Sequence, residues 1–258
     1  MNISEALANL QRLKEACDES NIDFNNLLSQ FGIPINKKTV LTLKPYVFAS
    51  KDELKQALKH AVPTLDAYLE KPYSTIEEAV KHSVSGNTFR AFHVKASTPE
   101  NQPSKIYRRV VNDIFKRKIN EFSQFKNSTE YEKFIIDSSN EISINFNLIS
   151  GKPDMMGFGR ATKLFNLSCK AMIRYQGITS IQKENLVKLA HVPWDSFTIQ
   201  GIRNLEPPFP IKANETMAWA AMNDVSKYKQ LQQWIRILCS EVNLYPIHYE
   251  IAAWDKAH

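Results

Sequence analysis

PDMMGFGRATKLFNLSCKAM, residues 153–172, and VPWDSFTIQGI, residues 192–202, are the two stretches on which the fold and the chemistry of this chain turn. In the first, Gly157-Phe158-Gly159 stands directly before RATKLFNLSCKAMIRY (160–175), whose apolar residues recur at helical spacing. Two glycines let a backbone turn tightly and come close to a partner. The free N–H groups of the helix start that follows suit a phosphate, helped by the helix dipole. Gly157, Phe158, Gly159 and Arg160 are therefore the candidate phosphate contacts. In the second stretch Pro193 makes a turn and Asp195 opens another helix, as its N-cap or first residue.

Outward from there, most of the chain reads as helix. Five of the seven glycines fall between Gly151 and Gly201 and bracket helices at 160–175 and 183–190. A Pro-rich loop at 205–212 precedes helices expected at 214–223, 225–241 and 246–257. On the N-terminal side, Leu7, Leu10, Leu13 and Cys17 mark a helix over 4–18 with Ser4 as its cap, and a second is expected at 22–31. Ser50 is placed to cap a helix over 51–61, which Pro63 is expected to break, with another turn of helix beginning over 64–70. Thr75 with Glu78 has the spacing of a capping box for 76–84. Two segments rich in β-branched or alternating residues, 37–48 and 88–97, are expected to form strands. A long basic helix is expected over 105–126 and another, capped by Ser128, over 128–139. The fold class is thus mainly α with a small β element in the N-terminal half. The expected organisation is an N-terminal, mostly helical lobe (1–140) and a second region (141–258).

Composition narrows the class. Hydrophobic residues make up 43%, enough for a real core, and the 23% charged fraction argues against global disorder. No apolar run is long enough for a membrane span. The opening residues, MNISEALANLQRLKEACDES, are polar and helix-periodic, so no secretory leader is expected. Cys17, Cys169 and Cys239 are isolated from one another and from His clusters, which points to reduced thiols in a cytoplasmic setting and to no metal site. The net charge is +6, and seven basic residues between Lys105 and Lys126 face only Asp113 and Glu121. That balance favours a polyanionic partner.

Taken together, the Gly157–Gly159 hairpin and the Pro193-Trp194-Asp195 turn resemble the helix-hairpin-helix DNA glycosylases, in which a hairpin is followed by a catalytic Asp opening a helix. Within that superfamily the chain is most similar to the archaeal 8-oxoguanine DNA glycosylases. Lys163 stands at their catalytic lysine, Lys170 at a second lysine two turns later, and Asp195 lies 32 residues after Lys163 (195 − 163), the separation of that subgroup. Glu250 and Trp254 match an acid four residues before a base-stacking Trp. Leu167 stands where the family carries an aromatic residue, and Glu250 where it carries Asp. The resemblance covers 151–258.

The resemblance implies a two-lobed helical fold and base excision from double-stranded DNA, with β-lyase activity, by a monomer without cofactor or metal. Lys163 would attack the anomeric carbon and form a Schiff base, and Asp195 would move protons and stabilise the developing charge. The amine attacks only as the free base, so Lys163 is expected in a partly desolvated place. Lys170, Glu250, Trp254 and Trp194 would make the pocket for the flipped base, with Trp219 a weaker candidate. The implied substrate is 8-oxoguanine or a hypermodified, phage-type base, in a setting of repair or anti-phage defence. Two other classes fit the same residues: a non-catalytic helix-hairpin-helix DNA-binding protein, and a helical interaction protein.

Overall fold

The computed structural model describes residues 13, 16–17, 47–84, 88–89, 92, 98–211 and 222–257. The chain divides into two compact units that part between Tyr46 and Val47. In the first unit Leu13, Ala16 and Cys17 are helical. The helix expected at 22–31 and the strand expected at 37–48, as far as Tyr46, lie outside the described residues, as do most of 214–223 and Trp219.

The second unit is mainly helical. Its described residues form α1 (Lys51–Leu69), α2 (Ile76–Ser83), α3 (Pro103–Phe122), α4 (Ser128–Ser150), α5 (Phe158–Met172), α6 (Ser180–Leu189), α7 (Ser196–Gly201), α8 (Val225–Ser240) and α9 (Pro246–Ala257). Among the described residues there is no strand, only an isolated parallel bridge between Tyr73 and Tyr175. Phe89 and Phe92, from the segment expected to alternate as a strand, lie in 3₁₀ turns and stack with centroids 5.7 Å apart. Both are buried in the core, which rewards their three-residue spacing in a turn rather than alternation.

Helix ends follow local chemistry. Ser50 Oγ accepts from the Glu53 N–H at 3.1 Å, as expected for the cap of α1. Pro63 does not end that helix, which runs on to Leu69. Pro63 and Lys59, whose carbonyl loses its helical partner, both lie on the exposed face, where that carbonyl is open to solvent. Thr75 Oγ1 accepts from the Glu78 N–H, and the Glu78 carboxylate accepts from Ser74 N–H at 2.8 Å, a capping box shifted by one residue. Asn127, not Ser128, caps α4. That helix passes uninterrupted through the expected boundary at 140 because Ile142 and Phe146 continue its buried face, and it ends at Gly151, whose φ of 65° suits glycine.

The central element is α5, which packs against α2 and α4. Ala161, Leu164, Phe165, Cys169, Ala171 and Met172 bury most of its circumference. Apart from Phe158 at its first position, the residues left less than fully buried are Arg160, Lys163, Leu167 and Lys170, at steps of three, four and three. These share one stripe of the helix. Hence both lysines look out of the core on the same side.

Candidate active site

Lys163, Leu167 and Lys170 open onto a cavity of about 370 Å³, whose other walls include Tyr68 (α1), Ser83 (α2), Asp195, Phe197 and Thr198 (α7), and Glu250, Trp254 and Asp255 (α9). Its size falls within the roughly 300–1,000 Å³ of small-molecule sites.

Lys163 Nζ lies 3.2 Å from Asp195 Oδ2, and the two side chains are 13% and 17% exposed. The expected partly desolvated setting for Lys163 is therefore present. Asp195 is held by the start of α7. Its Oδ1 accepts from the N–H groups of Phe197 and Thr198, both at 3.0 Å. Its own N–H donates to Thr198 Oγ1 at 2.7 Å, completing a capping box. One carboxylate oxygen thus anchors the helix and the other faces the amine.

A second pair lies along the same stripe. Lys170 Nζ meets Glu250 Oε2 at 2.5 Å, and the ammonium sits 4.9 Å from the centroid of the Tyr68 ring. Arg174 stacks 4.4 Å from that ring and 4.1 Å from the ring of Tyr73. Burial pushes the Tyr68 phenol up to about 12, against the opposing hydrogen bond from Arg174. Tyr68 is therefore a neutral wall at any working pH. Trp254 is 52% exposed and meets Phe197 edge-on at 5.7 Å. Tyr249 O–H donates to the Thr198 carbonyl, which ties α9 to α7 and fixes the two acid-bearing helices together.

The segment that delivers Asp195 is gripped from behind. Gln232 on α8 accepts from Val192 N–H at 3.0 Å and donates to Val192 carbonyl at 2.8 Å. His191 Nδ1 is 2.8 Å from the Tyr228 hydroxyl, to which Asn166 Nδ2 donates at 3.1 Å. Burial, reinforced by nearby Arg236, pushes His191 well below its usual range, so the imidazole is neutral and accepts from Tyr228.

Two groups of expected site residues are placed differently. Trp194 does not line the cavity. It is 2% exposed and packs on Tyr249 with centroids 6.0 Å apart. Residues 190–194 run without helix into the extended N-cap Asp195. Neighbours in an extended chain face opposite ways, so an inward Trp194 accompanies a cavity-facing Asp195.

The expected phosphate contacts are largely committed within the fold. Gly157 is the N-cap of α5, and the Gly159 N–H donates to Asn223 Oδ1 at 2.9 Å. A Cβ on Gly157 would stand 2.9 Å from the same oxygen, so any other residue there would push the Asn223 side chain out of its place. Arg160 donates to the Met155 carbonyl at 2.9 Å and lies 5.0 Å from the Phe92 ring centroid. Phe158 packs edge-on against Tyr228. The basic helix α3 is similarly matched. Lys116 meets Glu77 at 2.6 Å, and Arg117 and Lys118 both meet Glu141.

Tyr68, Ser83, Phe197 and Thr198 were not visible as site residues in the sequence. Only Thr198 had a local signal, three residues after the N-cap Asp195, where a capping box places its second member. No helix among the described residues is long and apolar enough to cross a membrane. Comparison with protein-family models, with curated proteins and with solved structures finds no match.

Proposed function

We propose that this protein is a DNA glycosylase with associated β-lyase activity that removes a modified base from double-stranded DNA. The observation that carries the proposal is the 3.2 Å approach of Lys163 Nζ to Asp195 Oδ2 at the wall of a base-sized cavity. Asp195 is placed to take a proton from the Lys163 ammonium. The free amine then attacks C1′ of the flipped nucleotide as the C1′–N bond breaks, and the base leaves with the bonding pair and gains a proton. Loss of one of the two protons on the adduct nitrogen and opening of the sugar, with O4′ taking a proton, leaves a protonated Schiff base on Lys163.

The cavity suits an uncharged base better than a phosphate. Asp195, Glu250 and Asp255 set three carboxylates against the two ammonium groups of Lys163 and Lys170. Trp254, Phe197 and Tyr68 supply aromatic surface, and the Lys170–Glu250 pair supplies donors and acceptors for a base edge. The resemblance of 151–258 points to 8-oxoguanine, with a bulkier hypermodified base as the other candidate substrate.

The test is borohydride trapping on duplexes that each carry one modified base. The expected result is a covalent complex with wild-type protein and none with Lys163→Gln. Wild-type-level trapping by Lys163→Gln would overturn the assignment of the nucleophile.

A further inference from the structure

Three hydroxyl groups lead from the core to the cavity wall. Tyr107 on α3 is fully buried, and its hydroxyl lies 2.8 Å from Ser168 Oγ on α5. Ser168 Oγ lies 2.8 Å from Ser83 Oγ, at the end of α2. Ser83 Oγ in turn donates to the Val80 carbonyl at 2.8 Å.

Each hydroxyl carries one hydrogen, so the chain has a direction. Burial raises the Tyr107 phenol far above its usual range, and it keeps its hydrogen. Among the described residues the acceptor within its reach is Ser168 Oγ. The Ser168 hydrogen then goes to Ser83, and the Ser83 hydrogen to Val80. The opposite order would strand the Tyr107 hydrogen in the core, where an unpaired donor is costly. Ser83 has therefore spent its hydrogen and one lone pair; it is one of the residues that line the cavity, and the second lone pair is what its hydroxyl has left to offer there. It is also the last residue of α2, where the helix dipole presents its negative end. Ser83 cannot turn round to donate without breaking the bond to Val80 and facing the Ser168 hydrogen.

We propose that Ser83 is a specificity-determining residue, a fixed hydrogen-bond acceptor that admits bases with an N–H or O–H donor at that edge and rejects those with an acceptor there. A misplaced ring nitrogen or carbonyl would set lone pair against lone pair. The role rests on the cavity being the base site, as proposed above.

The experiment measures single-turnover excision from duplexes carrying 8-oxoguanine, hypoxanthine, 5-hydroxymethylcytosine or 5-hydroxyuracil. The base that is removed is then compared with analogues in which each donor N–H or O–H is methylated in turn. Wild-type protein should lose at least about tenfold on one analogue, the order of a lost hydrogen bond in a site built for it. Ser83→Ala should shrink that one ratio to below about twofold and leave the other ratios unchanged, and Ser83→Thr should restore it. Ser168→Ala, which removes the hydrogen aimed at Ser83, should relax the same ratio and provides a second variant should Ser83→Ala fold poorly. Equal loss on every analogue, or unchanged ratios in both Ala variants, overturns the role of Ser83 while the base site stands. Wild-type excision of no base in the panel overturns both together.

Discussion

Gln232 holds Val192 by both of its backbone groups, taking the N–H at 3.0 Å and giving to the carbonyl at 2.8 Å. Both residues are buried, so the pair acts as a short stretch of ladder made by one side chain. It sets the course of the chain three residues before Asp195. Gln232→Ala leaves two backbone groups unsatisfied in the core. About 1 kcal/mol for each lost bond lowers stability by about 2 kcal/mol, or roughly 4–8 °C in Tm for a chain of this size. Excision measured well below the melting temperature should also fall, by about tenfold or more, because small displacements of a reacting group are costly. An unchanged Tm would show that Gln232 does not brace this segment.

The proposed roles of Lys163 and Asp195 predict a division between binding and chemistry. Lys163→Gln should bind duplex and form no Schiff base. Asp195→Asn should lower single-turnover excision by roughly 10²–10⁴, the usual worth of a positioned acid–base group. Its melting curve should stay close to wild type, because an amide oxygen can still cap α7. Excision by Asp195→Asn at the wild-type rate would remove Asp195 from the reaction.

Acid should weaken the fold through His191. Its folded-state value lies well below the ordinary imidazole value of about 6.5, chiefly through burial. The unfolded chain therefore binds a proton that the folded chain refuses. Stability from this group is fully present above about pH 6.5 and is lost as pH falls below it, by about 1.4 kcal/mol at pH 5.5. His248, also lowered by burial, acts in the same direction. The midpoint of urea unfolding should drop between pH 7.5 and 5.5, and less steeply in His191→Gln. Equal slopes in the two proteins would exclude His191 as the cause.

DNA affinity should not depend on the most basic-looking helix. Lys116 and Arg117 already face Glu77 and Glu141. Each phosphate contact contributes about 0.9 to the slope of log affinity against log salt. Lys116→Ala and Arg117→Ala should each change that slope by less than about half of this, as read by fluorescence anisotropy over a salt series. A fall near 0.9 for either variant would place α3 on the DNA backbone.

What the sequence could reveal depended on whether the cause was local. The cap at Ser50, the box around Thr75 and the helix opening at Asp195 were legible because each is set by residues three apart. The spacing of Lys163 and Lys170 on one stripe was legible for the same reason. Pro63 misled because a proline's cost depends on whether its face is wet, which no local pattern tells. The extension of α4 to Ser150 was hidden because NEISINFNLIS is a mediocre helix former, and burial of Ile142 and Phe146 overrides its propensity. Trp194 stands beside Asp195 in sequence and still turns away from the cavity, because adjacency in an extended chain means opposite directions. Tyr68 and Ser83 reach the cavity from helices far away in sequence, and nothing in their neighbourhoods marks them.

Asp195 carries two duties on two different atoms. Oδ1 answers to the peptide groups of Phe197 and Thr198, and Oδ2 answers to Lys163. The helix cap and the ion pair are thereby wired in parallel rather than in series. Serine at this position would keep the first circuit and cut the second, whereas glutamate would overshoot the first while still offering an acid. A descendant of this chain could thus keep an intact α7 after a single substitution at Asp195, and loss of the proposed chemistry would leave no scar in the fold.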